Sequence, residues 1–353
     1  MTASPPPSLQ PIAAAVEARL ADLLGGERAR WAAFDPQLDV AFAAIEQLVL
    51  GGGKRLRPAF CHWGFVGAGG DPDAGAAIDA GAAIELMHAF ALFHDDVIDD
   101  ADTRRGAPTT HVLAAAEHAR HGWAGDARRY GDGVAILIGD LAFVYSDELL
   151  AGVSREAWNI WNELRIELNV GQYLDVVGSV QRRRDRALAE RICRYKSGKY
   201  TIERPLHLGA VLAAPDAASE LLPSLSAYGL PLGDAFQMRD DVMGAFGDST
   251  ATGKPVGGDL IEGKPTPLLA RAYEVADVAQ REILDLVGRP GLAPDRVTAI
   301  QQVIIDTGAL ADLEAHIDAL AVEAVDSLVH APITSPAKAE LEALADYVTA
   351  RAN

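Results

Sequence analysis

Apolar residues recur at intervals of three and four along most of the chain, the repeat of a helix with one buried face. No alternating strand segment stands out, and there is no fixed-period repeat of the solenoid kind. The stretch IAAAVEARLADLL predicts an amphipathic helix from Ile12 to Leu24, ended by Gly25-Gly26. A second helix is expected from about Pro36 to Leu50, with Val40, Ala41, Ala44, Ile45 and Leu48 on its apolar face. Further helices are expected from Pro58 to Val66 and from Asp73 to near Asp100. Loop signals fill Gly106 to Pro108 and Gly122 to Gly133. Helical periodicity returns from Val134 to Ala151, Ser154 to Val177, Ala218 to Gly244, Thr266 to Val287, Pro294 to Thr307, Leu310 to Leu328 and Ser335 to Ala350. The prolines of MTASPPPSLQP predict a disordered lead-in over residues 1–11, with residues 12–353 as one domain. The fold class is all-α.

Composition agrees: 49% of the 353 residues are hydrophobic but only 6% aromatic, and alanine and leucine favour helix over sheet. The formal charge of −19 argues against nucleic acid as a partner, and it requires local cations or metal ions wherever an anion binds. Cys61 and Cys193 are too few for a disulfide framework or a zinc ribbon and are expected to be packed thiols. The start lacks a basic region followed by an apolar core, and no apolar run is expected to reach a membrane span. A cytoplasmic protein without a stable membrane anchor is the expectation.

Candidate chemistry centres on HAFALFHDDVIDDADTRRG, residues 88–106. Asp95 and Asp99 stand four apart on one helix face, and Asp96 and Asp100 repeat the spacing beside them. Like charges so placed repel, whereas two carboxylates one turn apart can share Mg²⁺, a cation that keeps substrate phosphates as partners. A solvated acidic helix end is the alternative, but the apolar run before Asp95 reads as interior. His88 lies two turns before Asp95 on the same face, and Arg104-Arg105 follow. Upstream, GGGKRLRP gathers Lys54, Arg55 and Arg57 beside glycine amides at a helix start, which suits a diphosphate.

Downstream, Lys196 and Lys199 flank Ser197 and Gly198 in a helical pattern, where the glycine marks a kink or a close approach. Asn169, Gln172, Tyr173 and Asp175 form a polar stripe suited to interhelical hydrogen bonds or a cavity. The run Arg182–Arg186 is expected to be a solvated turn. FQMRDDVMGAFGD places a second acidic pair, Asp240-Asp241, late on an apolar helix, and Lys254 and Lys264 follow in a loop. Gly247 to Lys254 is not a phosphate-binding P-loop, because five residues lie between its glycines instead of four and Pro255 replaces the required Ser or Thr. Two acidic sites and several cations suit a reaction in which diphosphate leaves.

From GGGKRLRP to EGKPT the chain resembles the trans-isoprenyl diphosphate synthases of the polyprenyl synthetase family. The resemblance implies a helical bundle around a deep central cavity, usually a homodimer. The implied reaction is head-to-tail condensation of isopentenyl diphosphate with an allylic diphosphate. The allylic diphosphate ionises, the homoallylic double bond attacks the cation, and a proton is lost to the released diphosphate. By position, Asp95, Asp99 and Asp240 would bind Mg²⁺, three ions per site. Arg104, Lys196, Lys254 and Lys264 would contact the allylic diphosphate, and Lys54, Arg57, His88 and Arg105 would hold isopentenyl diphosphate. Ser197 would steady the carbocation, Gln237 would line the same cavity, and Asp96 and Asp241 would stand behind the ligands. The family's second motif often reads DDxxD. Here Gly244 replaces its last aspartate, with Asp248 four residues beyond.

Product length in the family depends on the residues before the first aspartate, here Met87, Phe90 and Ala91. A ring at Phe90 with a gap at Ala91 resembles C20 makers, which implies geranylgeranyl diphosphate, although Phe90 lies about 140° from Asp95 around the helix. A C15 synthase is the alternative. A class I terpene cyclase would not need GGGKRLRP, an HD-type phosphohydrolase suggested by His94-Asp95 would need more histidines, and a non-catalytic subunit would not need intact metal and cation positions.

Overall fold

The computed structural model describes residues 4–247 and 257–350. Helix dominates them, as expected, and the extended pairing among them is a two-residue ladder, Thr103–Arg104 against Ala107–Pro108. The chain divides into two compact units. One takes Pro7–His62 with Asp71–Ser154. The other takes the described residues up to Pro6, Trp63–Gly70 and those from Arg155 onward.

The first unit holds α1 (Leu9–Phe34), α2 (Asp39–Leu50), the start of α3 (Leu56–Gly67), α4 (Gly75–Ile98), α5 (Thr110–His121) and α6 (Ala127–Glu148). Helix α1 begins with buried Leu9, so the last three residues of the expected lead-in are helical. Nor do Gly25-Gly26 end it. Two helical glycines cost about 1 kcal/mol each relative to alanine, but side chains beyond them anchor the continuation. Tyr145 Oη and Trp31 Nε1 donate to Glu27 Oε2 at 2.6 and 3.0 Å, and Arg28 bonds Asp39 and Glu46 at 2.6 Å each. In α2 the buried face is Phe42, Ile45 and Val49, while Val40 is exposed, so the expected face was set slightly off.

Helix α4 ends at Ile98, earlier than expected. It is long and apolar enough to cross a membrane by length and composition, contrary to the sequence expectation, yet most of it is buried. Small residues let neighbours approach: a Cβ on Gly81 would lie 3.0 Å from Val16 Cγ2, and one on Gly139 of α6 would lie 2.5 Å from His94 Cδ2. The expected 122–133 connector shrinks to Gly122–Asp126, because the Asp126 carboxylate caps α6 by accepting from Arg129 N–H. The unit's core is Val16, Leu20, Leu24, Phe42, Ile45, Leu86, Phe93 and their neighbours.

The second unit is built on α7 (Arg155–Val180), α8 (Arg186–Ile192), a π-helix (Cys193–Glu203), α9 (Arg204–Ala213) and α10 (Ala218–Phe246). The π-helix explains Gly198. Its backbone meets Gly233 of α10, where a Cβ on either glycine would fall within 2.9 Å of the other's backbone. On the opposite side a Cβ at Gly171 of α7 would fall 2.2 Å from Lys196 N. Buried ion pairs hold the same segment: Lys199 meets Glu167 at 2.5 Å, and Arg204 meets Glu167 at 2.6 Å. Then follow α11 (Gly258–Glu262), α12 (Pro267–Val275), α13 (Val278–Leu284), α14 (Pro294–Asp306), α15 (Ala309–Ser327) and α16 (Ser335–Thr349). The single helix expected from Thr266 to Val287 is two, because extended Ala276 breaks it and Asp277 with Gln280 forms a capping box that restarts it.

Gly171→Ala should destabilise the fold by about 1–3 kcal/mol through overpacking against the π-helix backbone. Urea unfolding checks this, and an unchanged midpoint would refute the close approach.

Candidate active site

The four aspartates at the end of α4 do different things. Asp99 caps the helix, its N–H reaching Asp95 O at 2.8 Å. Asp100 then turns left-handed at φ 53° and pairs with Arg128 at 2.6 Å, so it does not repeat Asp96 on a helical face as expected. Asp96 is buried and held by Arg104 at 2.7 Å. Burial pushes its carboxyl above the ordinary range despite that hydrogen bond. Asp95, 3.4 Å from Arg104, and Asp99 remain partly exposed. A two-residue turn aims the arginines: Arg105 and Gly106 have φ 52° and 76°, the signature of a tight hairpin. Thr109 closes it through Oγ1 to Ala101 O at 2.7 Å.

Arg105 Nη1 donates to Gly52 O at 2.7 Å, which joins TRRG to the GGGKRLRP loop. Within that loop Lys54 is exposed and Arg57 half-buried. Arg55 is different: it is buried, left-handed at φ 49°, paired with buried Glu85 and, at 2.9 Å, with Glu17. It anchors the loop. His88 sits where these cations converge. Burial, then the charges of Arg57, Arg104, Arg105 and Arg55, hold its imidazole well below the ordinary value of 6.5. His94, the residue behind the phosphohydrolase alternative, is tied to Ile136 O at 3.1 Å and Asp140 at 3.4 Å.

In the second unit, Asp240 is partly exposed and Asp241 buried, repeating the Asp95-Asp96 division. Gln237 Nε2 donates to Asp241 Oδ1 at 2.8 Å, one turn away. Burial and the charges of Asp259, Asp240 and Asp175 raise the Asp241 carboxyl well above its usual range. Lys196 Nζ meets Asp175 Oδ2 at 2.6 Å, and partly exposed Ser197 follows on the π-helix. Lys264 pairs with Glu262 at 2.7 Å. Lys254 and Asp248 lie outside the described residues. The first unit therefore gathers Arg57, His88, Arg104 and Arg105. The second gathers Gln237, Asp240 and Asp241, with Lys196 joined through Asp175.

The sequence profile described as Polyprenyl synthetase matches residues 39–304, three quarters of the chain. The chain belongs to the polyprenyl synthetase family. It is 35% identical over 314 residues to a geranylfarnesyl diphosphate synthase of Aeropyrum pernix, covering 86% of this chain and 92% of that one. It is 29% identical to a geranylgeranyl diphosphate synthase of Methanosarcina mazei, over 88% and 89%. A solved geranylgeranyl pyrophosphate synthase of Corynebacterium glutamicum, complexed with isoprenyl diphosphate and magnesium, superposes with a TM-score of 0.90 at 36% identity. That match covers 97% of this chain and 99% of the solved one. The protein is a prenyltransferase that makes prenyl diphosphates.

The donors suit magnesium. Asp95, Asp99 and Asp240 offer hard carboxylate oxygens and are partly exposed, while their neighbours Asp96 and Asp241 are buried. Among the described residues no three His, Cys, Asp or Glu side chains form a metal cage. Mg²⁺ ordinarily takes one or two carboxylates and completes its shell with water and substrate phosphate. Sequence reasoning missed Asp259 and the anchoring acids Glu85 and Glu17. Glu85 and Glu17 meet Arg55 from 30 and 38 residues away, a pairing that local spacing does not reveal.

Because folding excludes a proton that an unfolded imidazole binds below about 6.5, His88 costs stability as pH falls through that value and not above it. Urea unfolding between pH 7.5 and 5.5 should show a larger loss for the native synthase than for His88→Gln. Equal losses would contradict the cation cluster around this ring.

Proposed function

We propose that this synthase condenses isopentenyl diphosphate head-to-tail with allylic diphosphates and releases the C20 product, geranylgeranyl diphosphate. The convergence of Arg57, Arg104, Arg105 and Arg55 on a neutral His88 carries the reading. Positive charges gathered in this way favour an anion beside them. Lys54, Arg57, His88 and Arg105 hold the isopentenyl diphosphate, His88 donating a hydrogen bond without adding charge. Arg104, Lys196, Lys254 and Lys264 contact the allylic diphosphate. Asp95 and Asp99 of the first unit and Asp240 of the second would hold magnesium. Bound magnesium supplies charge neutralisation for the departing diphosphate. The allylic C1–O bond breaks, the isopentenyl double bond forms a new bond to that C1, and the proton lost next leaves with the released diphosphate. Ser197 offers its hydroxyl and carbonyl dipoles to the carbocation.

Three features bear on the C20 length. The Phe90 ring packs 4.6 Å from Phe143 and 4.6 Å from His94, so it is held in place rather than swinging. Ala91 beside it is small, and Met87 is fully buried. Relatives named for C20 and C25 products show that the fold accommodates neighbouring lengths. We also propose a homodimer. Outward apolar stripes run along α6 at Leu137 and Val144 and along α7 at Ile166, Tyr173 and Val180, each with helical spacing.

Incubated with isopentenyl diphosphate and C5, C10 or C15 allylic primers, the synthase should yield C20 with Mg²⁺ and nothing with EDTA. Phe90→Ala should lengthen the product, read by chromatography. A native C15 limit or products of C30 and beyond would refute the length. Consumption of a prenyl diphosphate without isopentenyl diphosphate would instead indicate a cyclase.

A further inference from the structure

Lys199 stands two residues after Ser197, yet its ammonium is engaged away from the diphosphates. Its side chain is 12% exposed and meets two acids, Glu167 of α7 at 2.5 Å and Glu203 at the end of the π-helix at 3.3 Å. The ammonium also lies 5.2 Å from the centroid of the Tyr195 ring, within reach of a cation–π contact. Tyr195 and Glu203 stand four residues before and after Lys199. One side chain therefore touches the π-helix near its start and at its end and ties both to α7. The backbone adds a further hold: Arg204 N–H reaches Lys199 O, five residues back, which is the π-helical spacing. The Arg204 guanidinium then grips the same acid through two bonds, Nε to Glu167 Oε2 at 2.6 Å and Nη2 to Oε1 at 2.7 Å. Ser226 Oγ of α10 donates to Glu203 Oε1 at 2.6 Å. Burial raises the Glu167 carboxyl, but the hydrogen bonds from Arg204 and Lys199 outweigh it and hold the group below the ordinary carboxylate range.

A π-helix is rare and is mostly a single turn inside an α-helix, whereas this one runs eleven residues. Relaxation to the narrower α-helical path would turn its residues about the axis, Lys196 and Ser197 among them. We infer that Lys199 is a positioning residue for prenyl transfer: by tying Tyr195, Glu203 and Glu167 together it holds the π-helical path that presents Ser197 to the carbocation and Lys196 to the allylic diphosphate. The inference rests on the roles proposed for Ser197 and Lys196. Lys199 itself stays off the substrate, its charge matched by the two acids.

Steady-state kinetics of Lys199→Met, alone and combined with Ser197→Ala, test this on the full-length chain. The variant leaves Glu167 paired with Arg204 and should fold. Its kcat should fall about 10–100-fold, the loss expected when a reacting geometry slips by about 1 Å. The KM for isopentenyl diphosphate should stay within about twofold of native, since that substrate's binding is not what is lost. On the Ser197→Ala background the same substitution should cost less than about threefold in kcat, because two residues that act as a unit are not additive. Should Lys199→Met fail to fold, Lys199→Met/Glu203→Gln removes the cation together with one of its acids and carries the same expectations. A folded variant with native kcat would overturn the inference, as would an equal loss on both backgrounds. A raised KM for the allylic diphosphate at unchanged kcat would overturn it too, by making Lys199 a direct substrate contact. If Ser197→Ala alone kept native kcat, the role proposed for Ser197 would fall, and the inference with it.

Discussion

Like charges held together by helix packing are the constraint on which this structure depends. Asp95 and Asp99 stand one turn apart on α4, and Asp240, Asp241, Asp259 and Asp175 influence one another in the second unit. Arg57, Arg104, Arg105 and Arg55 crowd around His88. Carboxylates one turn apart on a helix repel, and an isolated helix would relieve the repulsion by fraying. The chain prevents that with apolar burial on the same elements. Phe93 and Leu86 fix α4, while Val242 and Ala245 fix α10. Local repulsion is the cost of a site ready for anions and cations.

Ion pairs within and behind the site keep the arrangement from relaxing. Arg55, in a backbone region that costs a non-glycine residue about 1–2 kcal/mol, is secured by Glu85, Glu17 and the Val49 carbonyl. Asp96 takes Arg104, and Asp175 takes Lys196. In the second unit Lys199, Glu167 and Arg204 do for the π-helix what Arg55 and Glu85 do for the glycine loop. Arg104 and Lys196 are thus each held by a buried acid. A buried pair of this kind adds little net stability, but removing one partner strands a charge and costs several kcal/mol, roughly 3–5.

The all-α class and most long helices were legible because their apolar stripes repeat with the helix period. The motif residues were legible because acids inside apolar runs and cations in an acidic chain are out of place. Termini and interruptions were less so. Gly25-Gly26 looked like a stop, and the Glu27, Arg28 and Trp31 contacts that carry α1 past them are tertiary. Asp100 looked like the partner of Asp96, yet the helix ends two residues before it, at Ile98. Gly198 marked an irregularity but not its form, since a π-helix follows from the meeting with Gly171 and Gly233. Gly244 departed from the expected acidic spacing, and spacing along the chain cannot show that the Asp259 side chain lies against it.

The central claim is that the cations around His88 form a diphosphate site. Equilibrium unfolding of Arg105→Gln, with and without isopentenyl diphosphate, tests it most directly. Without ligand the variant should be as stable as the native chain or more so, because a like charge has been removed. With ligand it should gain far less stability than the native chain. A variant that is less stable without ligand, yet gains as much from isopentenyl diphosphate as the native chain, would contradict the account.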